Sequence, residues 1–192
     1  MARISPPTGA FPGPTETRLT GFSIRADRPG SPAARGLLAR HLATMRAQSP
    51  PEAVHALDEA GLSGPDVRFV VLWEGDLPLA MGALKRLSDI GGELKSMHVA
   101  AEARGRGAGA AMLRHLLALA ADMGMSRVSL ETGSSADFAP ARRLYARHGF
   151  TPCAPFAGYA PDPRSSFMSL ELGQVSLEPN GQSPQKSRPA VP

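Results

Sequence analysis

Apolar and polar positions along the chain fall into short runs of two different periods. From Leu19 to Ala26 they alternate, Leu19 and Gly21 against Phe22 and Ile24, which predicts a first strand. From Ala33 to Ala47 the positions Ala34, Leu37, Leu38, His41, Leu42 and Met45 follow helical spacing behind a Ser31-Pro32 start. Ser49-Pro50-Pro51 closes that helix and opens a short second one over Glu52–Ala60, stopped by Gly61. Val67–Trp73 reads as a strongly apolar strand, Glu74-Gly75-Asp76 as its turn and Leu77–Leu87 as the returning arm of a hairpin. A strand over Glu93–Val99, a long apolar helix over Gly107–Met123 and a strand over Arg127–Glu131 follow. Asp137–His148 reads as a helix with Asp137 as N-cap, Pro140 in the first turn and Gly149 at its end. Phe150–Cys153 and Ser166–Leu172 form a last pair of strands.

The predicted order is β-α-α-β-β-β-α-β-α-β-β. The hairpin requires antiparallel strands, and the strand-helix-strand unit from Glu93 to Glu131 requires a parallel pair. The fold class is therefore α/β in the broad sense, a mixed α+β arrangement: a central, mostly antiparallel sheet with one parallel pair and flanking helices. Pro6, Pro7, Pro12 and Pro14 mark residues 1–18 as a disordered extension. Residues 19–172 form the folded domain, and 173–192, rich in Gln, Ser, Pro and Asn, form a tail.

Composition narrows the classes. At 192 residues, 42% apolar and 20% charged, the chain suits one globular domain. No apolar run approaches a membrane span, and Met-Ala-Arg-Ile-Ser-Pro-Pro lacks a signal core, so membrane partners are not expected. The single cysteine, Cys153, excludes an internal disulfide framework and a cysteine-rich metal site; no metal and a reducing cytoplasm are the expectations. The net charge is +4, and only Lys85, Lys95 and Lys186 are lysines, so most cations are arginines suited to phosphate or carboxylate. No basic run of five or more supports a nucleic-acid surface.

The strongest local signal is Arg104-Gly105-Arg106-Gly107-Ala108-Gly109, directly before the apolar helix. The glycines permit close backbone approach, and the helix start offers unpaired N–H groups and a positive dipole end. A Walker loop is excluded, since no Gly-Lys-Ser/Thr follows. The dinucleotide fingerprint is met in letters by Gly105, Gly107 and Ala110. In that fold, however, the first glycine follows its strand almost directly, whereas Ala100–Arg104 intervene here. A turn serving only helix packing is the third reading.

Arg104-x-x-Gly107-x-Gly109 resembles the pyrophosphate loop of the GNAT superfamily of N-acetyltransferases. Ala141-x-x-Leu144-Tyr145-x-x-x-Gly149-Phe150 resembles that family's second motif. The likeness spans about residues 20–172. It is nearest to a bacterial YsnE-like subgroup, through stretches such as Glu93-Leu94-Lys95-Ser96-Met97 and Leu130-Glu131-Thr132-Gly133. One departure is Phe138, where the family often carries asparagine.

The resemblance implies acetyl-CoA as cosubstrate, lying where the strands over Glu93–Val99 and Arg127–Glu131 splay apart. Backbone N–H groups at Met97, His98 and Val99 would polarise the thioester carbonyl. Those of Arg104, Gly105, Arg106, Gly107, Ala108 and Gly109 would hold the pyrophosphate. Tyr145 stands at the family's acid position, and a tyrosine is protonated at neutral pH, with a reference pKa of about 10. Glu93, six residues before Val99, matches the place of the base in histone-type members; Glu131, at the end of the partner strand, His55, or a water chain in place of a single base are the other candidates. Glu131, His55, Phe156 and Tyr159 are candidates for the acceptor side, within a wall formed by residues 49–57 and 155–167. The expected activity is direct acetyl transfer to the amine of a small molecule or peptide. A CoA-binding module without turnover and an arginine-rich nucleic-acid binder are the alternatives, and a homodimer stays open.

Overall fold

A computed structural model describes residues 17–19, 21–48 and 58–173. Eight strands form one sheet: β1 Thr17–Leu19, β2 Phe22–Ala26, β3 Val67–Glu74, β4 Leu77–Arg86, β5 Gly91–Val99, β6 Arg127–Gly133, β7 Thr151–Pro152 and β8 Ser165–Glu171. The helices are α1 Pro32–Gln48, α2 Glu59–Leu62, α3 Ala108–Asp122 and α4 Ala139–Arg147. The strand order is β1-β2-β3-β4-β5-β6-β8-β7, antiparallel throughout except for the β5–β6 pair. The mixed sheet with one parallel pair is the expected architecture.

The strand alternation decides which helix covers which face. Phe69 and Val71 of β3, with Met81 and Ala83 of β4, pack with Leu37 and Leu38 of α1. Val70 and Leu72, with Ala80 and Leu84, pack against Met112, Leu113 and Leu116 of α3. Both faces are covered, so β3 and β4 read as continuous apolar runs.

Three local expectations differ from the structure. The first strand is two: a turn through Gly21 separates β1 from β2, which pair antiparallel, and the sheet begins at Thr17 rather than at Leu19. Helix α4 has Phe138 at its N-cap, with no side chain capping it; Asp137 lies inside a 3-10 turn over Ala136–Phe138. The described helix before β3 is Glu59–Leu62, capped by the Asp58 carboxylate accepting from the Gly61 N–H at 2.9 Å. The remainder of the expected second helix, the 49–57 loop with His55, and most of both terminal segments lie outside the described residues.

Candidate active site

The site begins where the sheet comes apart. β5 and β6 are in register from Gly91–Arg127 to Leu94–Leu130 and then diverge. Beyond that point β5 follows β4 as far as Val99–Ala80, while β6 follows β8 as far as Gly133–Ser165. A shift in the β4–β5 register falls at the same place, and Ser96 there takes a φ of 51°. Such a bulge costs backbone strain in a non-glycine residue and re-aims the side chains that follow. A cleft of about 630 Å³ fills the gap, lined from β5, β6, α1, α4 and the turn before α3.

At one end of the cleft is the glycine turn. Gly107 occupies the N-cap of α3 at φ +85°, and no side chain caps the helix. Its first N–H groups are therefore left for a ligand. A Cβ at Gly107 would meet nothing within 4 Å, so the glycine is required by backbone conformation, and the space beside it is open. Gly109, by contrast, lies close to Leu144 and Val99, which brings α4 against the start of α3. Arg104, Gly105, Gly107, Ala108 and Gly109 line the cleft. Arg106 does not: its guanidinium pairs with Glu74 and lies over the Phe22 ring. The open cradle fits a pyrophosphate, with Arg104 as the cation beside it.

At the splay itself stand Tyr145 and Glu131. Tyr145 is buried, and its hydroxyl donates weakly to Met97 Sδ at 3.9 Å. Burial, aided by the Glu131 charge, pushes the phenol up to about 12, so it keeps its proton across the physiological range. Glu131 lines the cleft from β6 and accepts a hydrogen bond from Ser165 Oγ at 2.7 Å. Phe138, in place of the family's amide, lines the cleft with its ring against Gly133, where a Cβ would overlap the ring.

Glu93 is placed differently from the expectation. It is buried off the cleft, and its Oε1 accepts from Tyr159 Oη at 2.7 Å and from Lys95 Nζ at 3.2 Å. Lys95 Nζ also donates to Tyr159 Oη at 2.7 Å, and Lys95 lines the cleft. Burial and the Glu93 hydrogen bond raise the Tyr159 phenol well above its ordinary range, so Tyr159 remains a donor. The triad ties the 153–164 segment to β5. Phe156, Tyr159 and Phe167 stack edge-on or tilted in one aromatic cluster, and Phe156 faces a second, smaller pocket beside Gly91 and Arg127. Cys153 lies on neither the cleft nor that pocket.

Sequence reasoning missed Lys95, Ser96 and His41, all of which line the cleft. His41 sits at i+3 and i+4 from Leu38 and Leu37, which reads as core. His41 and His98 face each other at 5.5 Å between ring centroids. Burial lowers both to about 4, helped by their mutual repulsion at His41 and by Arg104 and Arg40 at His98, against an opposing Glu102. Unfolding exposes both to their ordinary value near 6.5. The unfolded chain therefore binds more protons between pH 6.5 and 4, and the stability present above that window is lost as pH falls through it. The thermal midpoint is expected to drop through this range. A His41→Phe/His98→Phe variant should show a shallower drop by calorimetry; an equal slope would place the acid sensitivity elsewhere.

Among the described residues no group of three or more His, Cys, Asp or Glu is arranged to hold a metal, and no helix is long and apolar enough to cross a membrane. A family model described as "Acetyltransferase (GNAT) family" matches residues 35–150. The chain is 47% identical over 151 residues to the uncharacterized N-acetyltransferase YedL of Escherichia coli (strain K12), covering 79% of this chain and 95% of that protein. It is 46% identical over 136 residues to the uncharacterized N-acetyltransferase YsnE of Bacillus subtilis (strain 168), covering 71% and 90%. A GNAT family acetyltransferase from Elizabethkingia anophelis, solved with acetyl-CoA bound, shares the fold at a TM-score of 0.56 and 14% identity, over 79% of this chain and 99% of that one.

Proposed function

The chain belongs to the acetyltransferase (GNAT) family and is an acetyl-CoA-dependent N-acetyltransferase; from that premise we propose that it acetylates an amine of a small molecule or peptide by direct attack, with no covalent enzyme intermediate. The observation that supports this is the opening in the sheet. It joins the uncapped start of α3 on one face to a chamber beside α1 on the other, with Tyr145 and Glu131 between. Acetyl-CoA supplies an activated thioester carbonyl. The turn from Arg104 to Gly109 holds its phosphates, and the β5 edge from Met97 to Val99, free of a β6 partner, offers N–H groups to the acyl arm. Tyr145 Oη keeps a proton available for the departing thiolate. Glu131, the cleft carboxylate on β6, takes the proton from the incoming amine, directly or through a water.

Glu93 has a different task in this reading. Its carboxylate neutralises Lys95 and holds Tyr159, so it positions the acceptor wall rather than receiving the proton. Glu131→Gln is expected to lower kcat/KM about tenfold, below the usual range for a general base because water can substitute in an open cleft. Glu93→Gln should instead lower the thermal midpoint, since it leaves the Lys95 ammonium buried without its countercharge. The reverse pattern in steady-state kinetics and melting would return the base role to Glu93.

The direct test is thiol release from acetyl-CoA in the presence of amines, amino acids and peptides, with the N-acetyl product identified by mass spectrometry. Amine-dependent release without an acetylated protein is the expected result. CoA binding with no release for any acceptor would favour a binding module. An acetylated Cys153 on the path would overturn direct transfer.

A further inference from the structure

Three buried polar atoms in the cleft have no hydrogen-bond partner among the described residues: His41 Nδ1, His98 Nε2 and Ser96 Oγ. His41 is 6% exposed and His98 8%, so both imidazoles are more than nine-tenths buried. Buried polar groups are rarely left unsatisfied, and those that remain point to a missing partner. The two histidines are adjacent, on α1 and β5, and both line the same cleft.

The sheet shows which substrate they meet. His98 pairs in register with Met81, which packs among the residues beneath α1. The pair therefore lies on the α1 face, opposite the face covered by α3 and away from its uncapped N-terminus. On that face the charges are largely paired. Arg104 and Arg40 both act on His98, and Glu102, the opposing charge, is itself paired with Arg40 at 3.4 Å. Lys95 adds an ammonium to the same wall, partnered by Glu93 and Tyr159, and Arg164 lines the cleft while bonded to Asp162. Across the splay, on β6, stands the carboxylate of Glu131. The chamber thus has the two imidazoles on the β5–α1 side and the Glu131 carboxylate on the β6 side, where Arg164, paired with Asp162, also stands before β8.

We propose that His41 and His98 form a carboxylate-binding subsite on the acceptor side of the cleft, which makes the preferred acceptor an amino acid, its amine directed to Glu131 and its carboxylate to the histidine pair. A neutral imidazole presents one N–H, and a carboxylate accepts two such bonds. The buried pair stays neutral at physiological pH, so it discriminates by hydrogen bonding. An acceptor lacking an acid group leaves the pair unsatisfied and is disfavoured. This inference rests on the acetyl-transfer reading above.

The test uses free amino acids, their amides and the matching decarboxylated amines as probes of the full chain. In the wild type, kcat/KM for amino acids should exceed that for amides and amines by at least about tenfold, the worth of one hydrogen bond to a charged group. His98→Phe and His41→Phe should erase most of that preference through the acceptor KM, and His41→Phe, which lies off the cofactor-binding strand, should leave the acetyl-CoA KM unchanged. His98→Asn, which retains a donor, should restore part of it, and circular dichroism with melting curves reports the fold. Calorimetric titration of amino acids into the CoA-bound protein gives a readout without turnover. Binding that is lost in His98→Phe, with no acetylation, would sink the transfer reading and leave the subsite standing. Equal use of amines and amino acids by the wild type, undiminished preference in both Phe variants, or a loss confined to CoA affinity would overturn the subsite.

Discussion

Replacing Gly107 with glutamate is expected to weaken CoA binding about 100-fold while the protein still folds. The N-cap of α3 has no side chain over it, and a Cβ there enters open space, so the new carboxylate sits where the proposed reading puts the phosphates. Two unit charges about 4 Å apart repel by ~1 kcal/mol in bulk water and ~4 kcal/mol near a protein surface. Gly107 is exposed, so a middle value of roughly 2.7 kcal/mol applies, which is about two decades in affinity. The fold has its own cost: a left-handed conformation in an L-residue costs about 1–2 kcal/mol. A carboxylate at a helix N-terminus returns about 0.3–1 kcal/mol of that. Gly107→Ala separates the two effects, since it carries the backbone strain without the charge. Calorimetric titration should show a large loss for glutamate and a small one for alanine. Equal losses would mean that strain alone is responsible, and unchanged affinity for glutamate would remove the phosphates from this turn.

Tyr145→Phe is the second large effect, and it falls on chemistry. The phenol is buried, its hydroxyl donates weakly to the Met97 sulfur at 3.9 Å, and it keeps its proton with a pKa pushed up to about 12. The ring also stacks at a tilt on Phe150, 5.8 Å between centroids, and phenylalanine preserves that packing. Only the proton donor is lost. If it serves the leaving thiolate, kcat should fall roughly 10²-fold, the low end for a general acid, because a thiol of ordinary pKa near 8.5 departs partly unaided. CoA affinity should change little, which is the signature of an interaction made in the transition state. Equal turnover with chemistry rate-limiting would make Tyr145 a packing residue.

The helices and strands that carry long apolar periods were legible in the sequence, and so was the glycine turn, because its residues are needed for local backbone reasons. The parallel β5–β6 pair followed from the crossover rule. What stayed hidden depends on contacts distant in the chain. Glu93 reads as a match to the family's base until Tyr159, sixty-six residues later, is seen donating to it. Arg106 reads as a phosphate ligand until Glu74 and Phe22 are seen to hold it elsewhere. Ser96 has no signal for its bulge, since serine carries no left-handed preference of the kind glycine advertises. His41 shares the period of the buried leucines, so periodicity alone assigns it to the core. The first hairpin was read as one strand because Gly21 fits a period-two alternation as well as a turn.

The short β5–β6 register has a mechanical side. Residues Gly91–Leu94 against Arg127–Leu130 are the whole ladder that joins two slabs, β1 to β5 on one hand and β6, β8 and β7 on the other. The ladders on either side are longer, six pairs in β4–β5 and seven in β6–β8. The β5–β6 seam is the short one between them, and it ends at the floor of the cleft. The same four rungs that keep the sheet in one piece also set where the gap between the strands begins, with Leu94 and Leu130 as its floor.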